Sequence, residues 1–107
     1  MKTTDFIAEL KYNSFEEGGR NIPAYSKYRP HIEFENFPEM KTSGQQVFLG
    51  KEKVYPGETV TAEITIISSD YFKGKLSIGH KFIFCEGENI IGSGVIIKFI
   101  NSELETK

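Results

Sequence analysis

The side chains of this sequence best suited to proton transfer or nucleophilic attack are two histidines, His31 and His80, and one cysteine, Cys85. Each histidine faces outward in the alternation around it, and no nucleophile motif surrounds Cys85 or any serine. His80 and Cys85 stand an odd number of positions apart in a strand pattern, which puts them on opposite faces. No Cys-x-x-Cys or second histidine pair completes a tetrahedral metal set. Carboxylates come in pairs, Glu16-Glu17, Glu33 with Glu35 and Glu86 with Glu88, but in turns and on polar faces where nothing aims two of them into one cleft. No Gly-x-x-x-x-Gly-Lys-Ser/Thr stretch is present to cradle a nucleotide, and Gly92-Ser93-Gly94 is too short for a dinucleotide fingerprint. These residues lead us to expect a protein that is not an enzyme and that carries no cofactor and no metal.

Binding chemistry is better represented. Glu16-Glu17-Gly18-Gly19-Arg20-Asn21-Ile22-Pro23 sets an arginine and an asparagine beside a glycine pair, and Tyr25, Lys27 and Tyr28-Arg29-Pro30-His31 follow closely. Arg20, Lys27, Arg29 and His31 with Tyr25 and Tyr28 form the only locally basic stretch of an otherwise acidic chain. Such a patch can grip phosphates, the arginines through paired N–H donors and the tyrosines through a stacking face. The competing role is structural: Tyr28 and Arg29 would buttress the loop onto the body of the fold while Glu16 and Glu17 neutralise the arginines.

Composition bounds the partners. The formal net charge is −2, from 13 Lys+Arg against 15 Asp+Glu, so any nucleic-acid binding has to come from a local patch. A single cysteine excludes an internal disulfide and fits a reducing compartment. No stretch has signal-peptide form or reaches the roughly 20 apolar residues of a membrane helix, so the expected location is the cytoplasm.

The elements that must position these residues are strands. Nine Phe and five Tyr in 107 residues supply the bulk for one compact β core. Period-two alternation marks 6–12 (Phe6, Ala8, Leu10 and Tyr12 on one face) and 31–36 (Ile32, Phe34). It also marks 45–49 (Val47, Leu49) and 59–68 (Val60, Ala62, Ile64, Ile66). The last two strands are 80–86 (Phe82, Phe84) and 94–100 (Val95, Ile97, Phe99). Pro30 opens one strand and Pro38 closes it, Pro56-Gly57 is a turn, and Glu86-Gly87-Glu88-Asn89 reads as a hairpin. The glycines of Gly92-Ser93-Gly94 lie inside a strand pattern, which marks a bulge or a close backbone approach. No window carries a helical stripe. The expected fold is all-β, a six-stranded antiparallel β-barrel over 5–101 with short polar tails at 1–4 and 102–107. Met1 and that polar ending lead us to expect a stand-alone domain.

Several of these segments resemble one known family, in order along the chain. Phe6-Ile7-Ala8-Glu9, then Ser14-Phe15-Glu16-Glu17-Gly18-Gly19-Arg20 through Pro23 and Tyr28-Arg29-Pro30, are similar to the opening of the C-terminal (third) domain of bacterial elongation factor Tu. Val54-Tyr55-Pro56-Gly57-Glu58-Thr59-Val60 resembles its central turn, and Glu86-Gly87 with Ile91-Gly92-Ser93-Gly94-Val95 and Lys98 resembles its last hairpin. The resemblance implies a six-stranded antiparallel barrel. It does not bring the GTPase with it, since nucleotide binding there belongs to a separate N-terminal domain.

That family's third domain contacts the T-stem of aminoacyl-tRNA, packs on the GTPase domain and touches the exchange factor. The RNA-facing loop corresponds to Gly18-Gly19-Arg20-Asn21. Asn21 stands where a histidine is usual, and His31 where a glutamine commonly follows the Tyr-Arg-Pro motif. A retained scaffold with an altered RNA face leads us to expect a non-catalytic, protein-interacting or mimic module linked to translation. The alternative is an accessory that binds tRNA or other RNA through the Gly-Gly-Arg loop. Under either, Gly18, Gly19, Arg20, Asn21, Lys27, Tyr28, Arg29 and His31 are the expected contact residues, with no nucleotide and no membrane as ligand. A barrel without its neighbouring domains also exposes apolar surface, so self-association is a further expectation.

Overall fold

A computed structural model describes residues 3–106, so the outermost positions of the two expected tails (1, 2 and 107) lie outside the described residues. The strands are β1 (Phe6–Tyr12), β2 (Ala24–Tyr25), β3 (His31–Phe34), β4 (Thr42–Phe48), β5 (Lys53–Val54), β6 (Thr59–Ile66), β7 (Lys81–Glu86) and β8 (Asn89–Phe99). Six of them close an antiparallel barrel in the order β1-β6-β4-β3-β7-β8, with β8 returning to β1. β2 and β5 form a separate two-stranded ribbon, Ala24 opposite Val54 and Tyr25 opposite Lys53.

The alternation read from the sequence places the core correctly in β1, β3, β6 and β7. Phe6, Ala8, Leu10 and Tyr12, Ile32 and Phe34, Val60, Ala62, Ile64 and Ile66, and Phe82 and Phe84 are all buried. Closure brings the aromatics edge to face, Phe6 meeting Phe34 at 6.1 Å and Phe82 at 5.9 Å between ring centres. Each such pair adds about 1 kcal/mol beyond the area it buries.

Two strands differ from expectation in phase. β4 begins earlier than 45 and turns the other way: Thr42, Gly44, Gln46 and Phe48 point inward, whereas Val47 is half-buried and Leu49 is exposed. The inward set is mostly polar or small, so hydrophobicity pointed to the wrong face. Gln46 is only half satisfied inside: the buried Tyr12 hydroxyl donates to its Oε1, while its Nε2 has no hydrogen-bond partner among the described residues. In the second half of β8 the buried hydrophobic residue is Ile96, and Ile97 is 45% exposed. A register shift on β1, between Ile7 opposite Lys98 and Ala8 opposite Ile96, leaves Ile97 without a partner and reverses the phase. Gly92 and Gly94 fill the inward positions before it, because the rings of Phe84 and Phe82 occupy the space that a Cβ on either would need.

The segment expected as a polar tail from 102 onward is packed. Ser102–Leu104 forms a 3-10 turn, Leu104 is fully buried, and the Leu76 N–H donates to the Leu104 carbonyl at 3.0 Å. Asp5 seals the same end of the barrel. It is buried, and its carboxylate accepts from the Ile66 N–H at 2.8 Å and from Asn101 Nδ2 at 3.1 Å.

Candidate functional site

The opposite end of the barrel carries the loop 13–23, the ribbon of β2 and β5, and the β7–β8 hairpin. Residues of opposing polarity fold the loop on itself. The Ser14 N–H donates to Glu17 Oε1 at 2.8 Å and the Glu17 N–H to Ser14 Oγ at 3.2 Å, the reciprocal pairing of a capping box. The Ser14 N–H, first among the causes, holds the Glu17 carboxyl below its ordinary range. The Gly19 N–H then donates to the Ser14 carbonyl at 2.8 Å. A Cβ at Gly19 would collide with the Asn13 carbonyl, so only glycine permits this turn. Asn13 ties the loop to the hairpin, its N–H reaching the Ile91 carbonyl at 2.8 Å and its Nδ2 the Ile90 carbonyl at 3.2 Å.

The fold so built delivers Arg20 to Glu86 at the end of β7. The two form an ion pair, and the Tyr28 hydroxyl donates to the same carboxylate oxygen. The guanidinium also donates to the Ile22 and Pro23 carbonyls at 3.3 Å and lies 4.8 Å from the centre of the Tyr28 ring. The Arg20 side chain is only 17% exposed. Burial works against its charge, yet Tyr28 and Glu86 outweigh burial and hold its pKa above the ordinary value. The Tyr28 hydroxyl is likewise pushed up, chiefly by burial and then by its bond to Glu86.

The expected contact residues therefore divide. Arg20 and Tyr28 come together on Glu86, a residue noted in the hairpin motif but not among the expected contacts, while Gly18 and Gly19 bond back to Phe15 and Ser14 in the turn before Arg20. Asn21 and Lys27 stay exposed, Lys27 with a positive φ of 80°. Arg29 and His31 alternate out of the opposite side of the chain from Tyr28 and Pro30. Arg29 reaches across to Gln45 of β4, donating to its Oε1 at 3.3 Å, while His31 lies opposite Cys85 of β7. The Cys85 thiol is pushed up, first by partial burial and then by Glu33. His80 is a structural residue: its Nε2 bonds to the Glu35 carbonyl at 2.6 Å and its ring stacks on Phe37 at 5.8 Å. Glu17 pairs with Lys11 at 3.7 Å, and Glu86 takes the neutralising part expected of Glu16 and Glu17.

Three hydrophobic side chains on the loop and hairpin that carry the clamp are exposed. Phe15 is 66%, Ile22 58% and Ile90 47% exposed, on segments hydrogen-bonded to one another through Asn13 and Arg20. Sequence reading did not single out these three: Phe15 and Ile22 are isolated apolar residues in a loop, and Ile90 stands beside Ile91 at the start of β8, where no alternation marks its face. Tyr25 of the ribbon and Tyr55 just after it are exposed, and Lys53 Nζ stands 5.2 Å from the Tyr55 ring centre. No group of three or more His, Cys, Asp or Glu among the described residues is placed to hold a metal ion, and no helix among them is long and apolar enough to cross a membrane. Fold and site define a closed six-stranded β-barrel bearing a clamped loop, and no family model matches the chain.

Proposed function

We propose that this chain is a non-catalytic binding module that docks a protein partner through its loop-bearing end. The observation that carries this reading is the exposure of Phe15, Ile22 and Ile90 on the loop and hairpin that carry an arginine whose charge is already matched by Glu86. Such a surface is apolar and locally neutral at its centre, which suits the core of a protein–protein contact better than a phosphate backbone. The resemblance of its ordered motifs to the third domain of elongation factor Tu supports a place in translation, as an interaction or mimic module. Retention of partners on immobilised protein, with Phe15→Glu and Ile22→Glu as controls, tests the reading. Proteins retained by the wild type and lost with both variants support it; equal retention by all three, or retention of RNA alone, contradicts it.

One observation favours RNA instead. Tyr25 of the ribbon and Tyr55 just after it stand exposed in a cleft with Lys51, Lys53, Glu52 and Glu58, with Lys27 close in sequence, offering stacking faces and cations outside the Arg20 clamp. Under this reading tRNA affinity falls steeply between low and moderate salt and weakens with Tyr25→Ala, measured by filter binding. An affinity insensitive to both would remove it.

A further inference from the structure

A groove of about 460 Å³ runs along the outer wall of the barrel over β4 and β6. Ser43, Gln45 and Val47 are the outward residues of β4; Thr65 pairs with Gln45 across the strands, and Ile67 follows β6. Arg29 enters this groove from the chain preceding β3. Its recorded hydrogen bond is to a neutral acceptor, Gln45 Oε1, and among the described residues no carboxylate pairs with it or lines the groove. A guanidinium has five N–H donors in a planar fork, so most of its donor capacity faces the groove or solvent. In a chain of net charge −2, this arginine is set among hydroxyls, an amide and aliphatic carbons; Glu63, opposite Val47, is not in the lining.

We propose that this groove binds a carboxylate, supplied by an acidic side chain of a partner protein whose aliphatic neighbour rests on Val47 and Ile67. The stoichiometry of charge selects the ligand. One guanidinium, with no lysine in the lining among the described residues, matches a monoanion, and its fork matches the two oxygens of a planar carboxylate. Ser43 and Thr65 bring hydroxyl donors that solvate the same group without adding charge. The two aliphatic side chains extend the contact to an apolar residue next to the acid. The inference rests on the protein-docking reading only for the source of the carboxylate. Its surface is separate from Phe15, Ile22 and Ile90.

The test is an NMR titration of the full chain with the blocked peptide acetyl-Ala-Leu-Glu-Leu-Ala-amide, with its counterpart carrying glutamine for glutamate, and with inorganic phosphate. The glutamate peptide is expected to shift the amides of Ser43, Gln45 and Thr65. The glutamine peptide should bind about tenfold more weakly, the loss expected when an ionised acceptor becomes neutral. Arg29→Gln should abolish the response, and Arg29→Lys should keep part of it because charge remains and the fork is lost. Equal binding of the two peptides, wild-type binding by Arg29→Gln, or no shift at those amides overturns the proposal. Tighter binding of phosphate than of the glutamate peptide overturns the carboxylate assignment. Loss of partner retention in Phe15→Glu with peptide binding intact leaves this inference standing, and the converse leaves the docking reading standing.

Discussion

The chain's two arginines, Arg20 and Arg29, belong to the same short basic stretch, yet the fold uses them in opposite ways. Arg20 is enclosed, ion-paired to Glu86, bonded to two carbonyls and laid over Tyr28. Arg29 is exposed and meets only the neutral Gln45. Strand geometry and loop geometry make the difference. Gly19 turns Arg20 back onto the hairpin, whereas alternation after Tyr28 throws Arg29 out of the barrel wall. Identical chemistry thus becomes scaffold in one place and an exposed cation with no ion pair among the described residues in the other.

The largest effect should come from Gly19→Ala, which forces a methyl group into the Asn13 carbonyl and dislodges Arg20 from Glu86. A loss of about 3 kcal/mol in urea unfolding is expected, the upper end for overpacking at a site whose obstacle is backbone. An unchanged midpoint would break the claim that the glycine positions the arginine. Next, Arg20→Ala and Arg29→Ala compared side by side should separate clearly. The first costs about 2 kcal/mol through lost stacking and hydrogen bonds. The second stays within about 0.5 kcal/mol, as surface substitutions do. Tyr28→Phe removes one hydroxyl from the shared carboxylate and keeps the ring under Arg20, so about 1 kcal/mol is expected by the same measurement.

How much of this was legible without coordinates depended on what each strand turns inward. β1, β6 and β7 bury aliphatic and aromatic side chains at every second position, so alternation alone identified their core faces. β4 buries Thr42, Gly44 and Gln46, and β8 buries Gly92 and Gly94; polar residues turned inside and glycines that make room for opposite rings leave no hydrophobic trace. Leu104 sits alone among polar neighbours, and only its packing beside Leu76 shows that its segment is part of the body. At the candidate site, the glycine pair and Tyr28 belong to the segments that meet at Glu86. The partner of Arg20 could not be read, since Glu86 lies 66 residues away and meets it only once the barrel closes.

The most direct measurement of that closure is a double-mutant cycle on Arg20→Ala and Glu86→Ala, read as urea unfolding free energies. The clamp predicts that the two losses do not add, with a coupling of about 1 kcal/mol, the upper range for an ion pair that keeps partial access to solvent. Losses that add to within about 0.3 kcal/mol would contradict it and return Arg20 to the set of residues free to meet a partner.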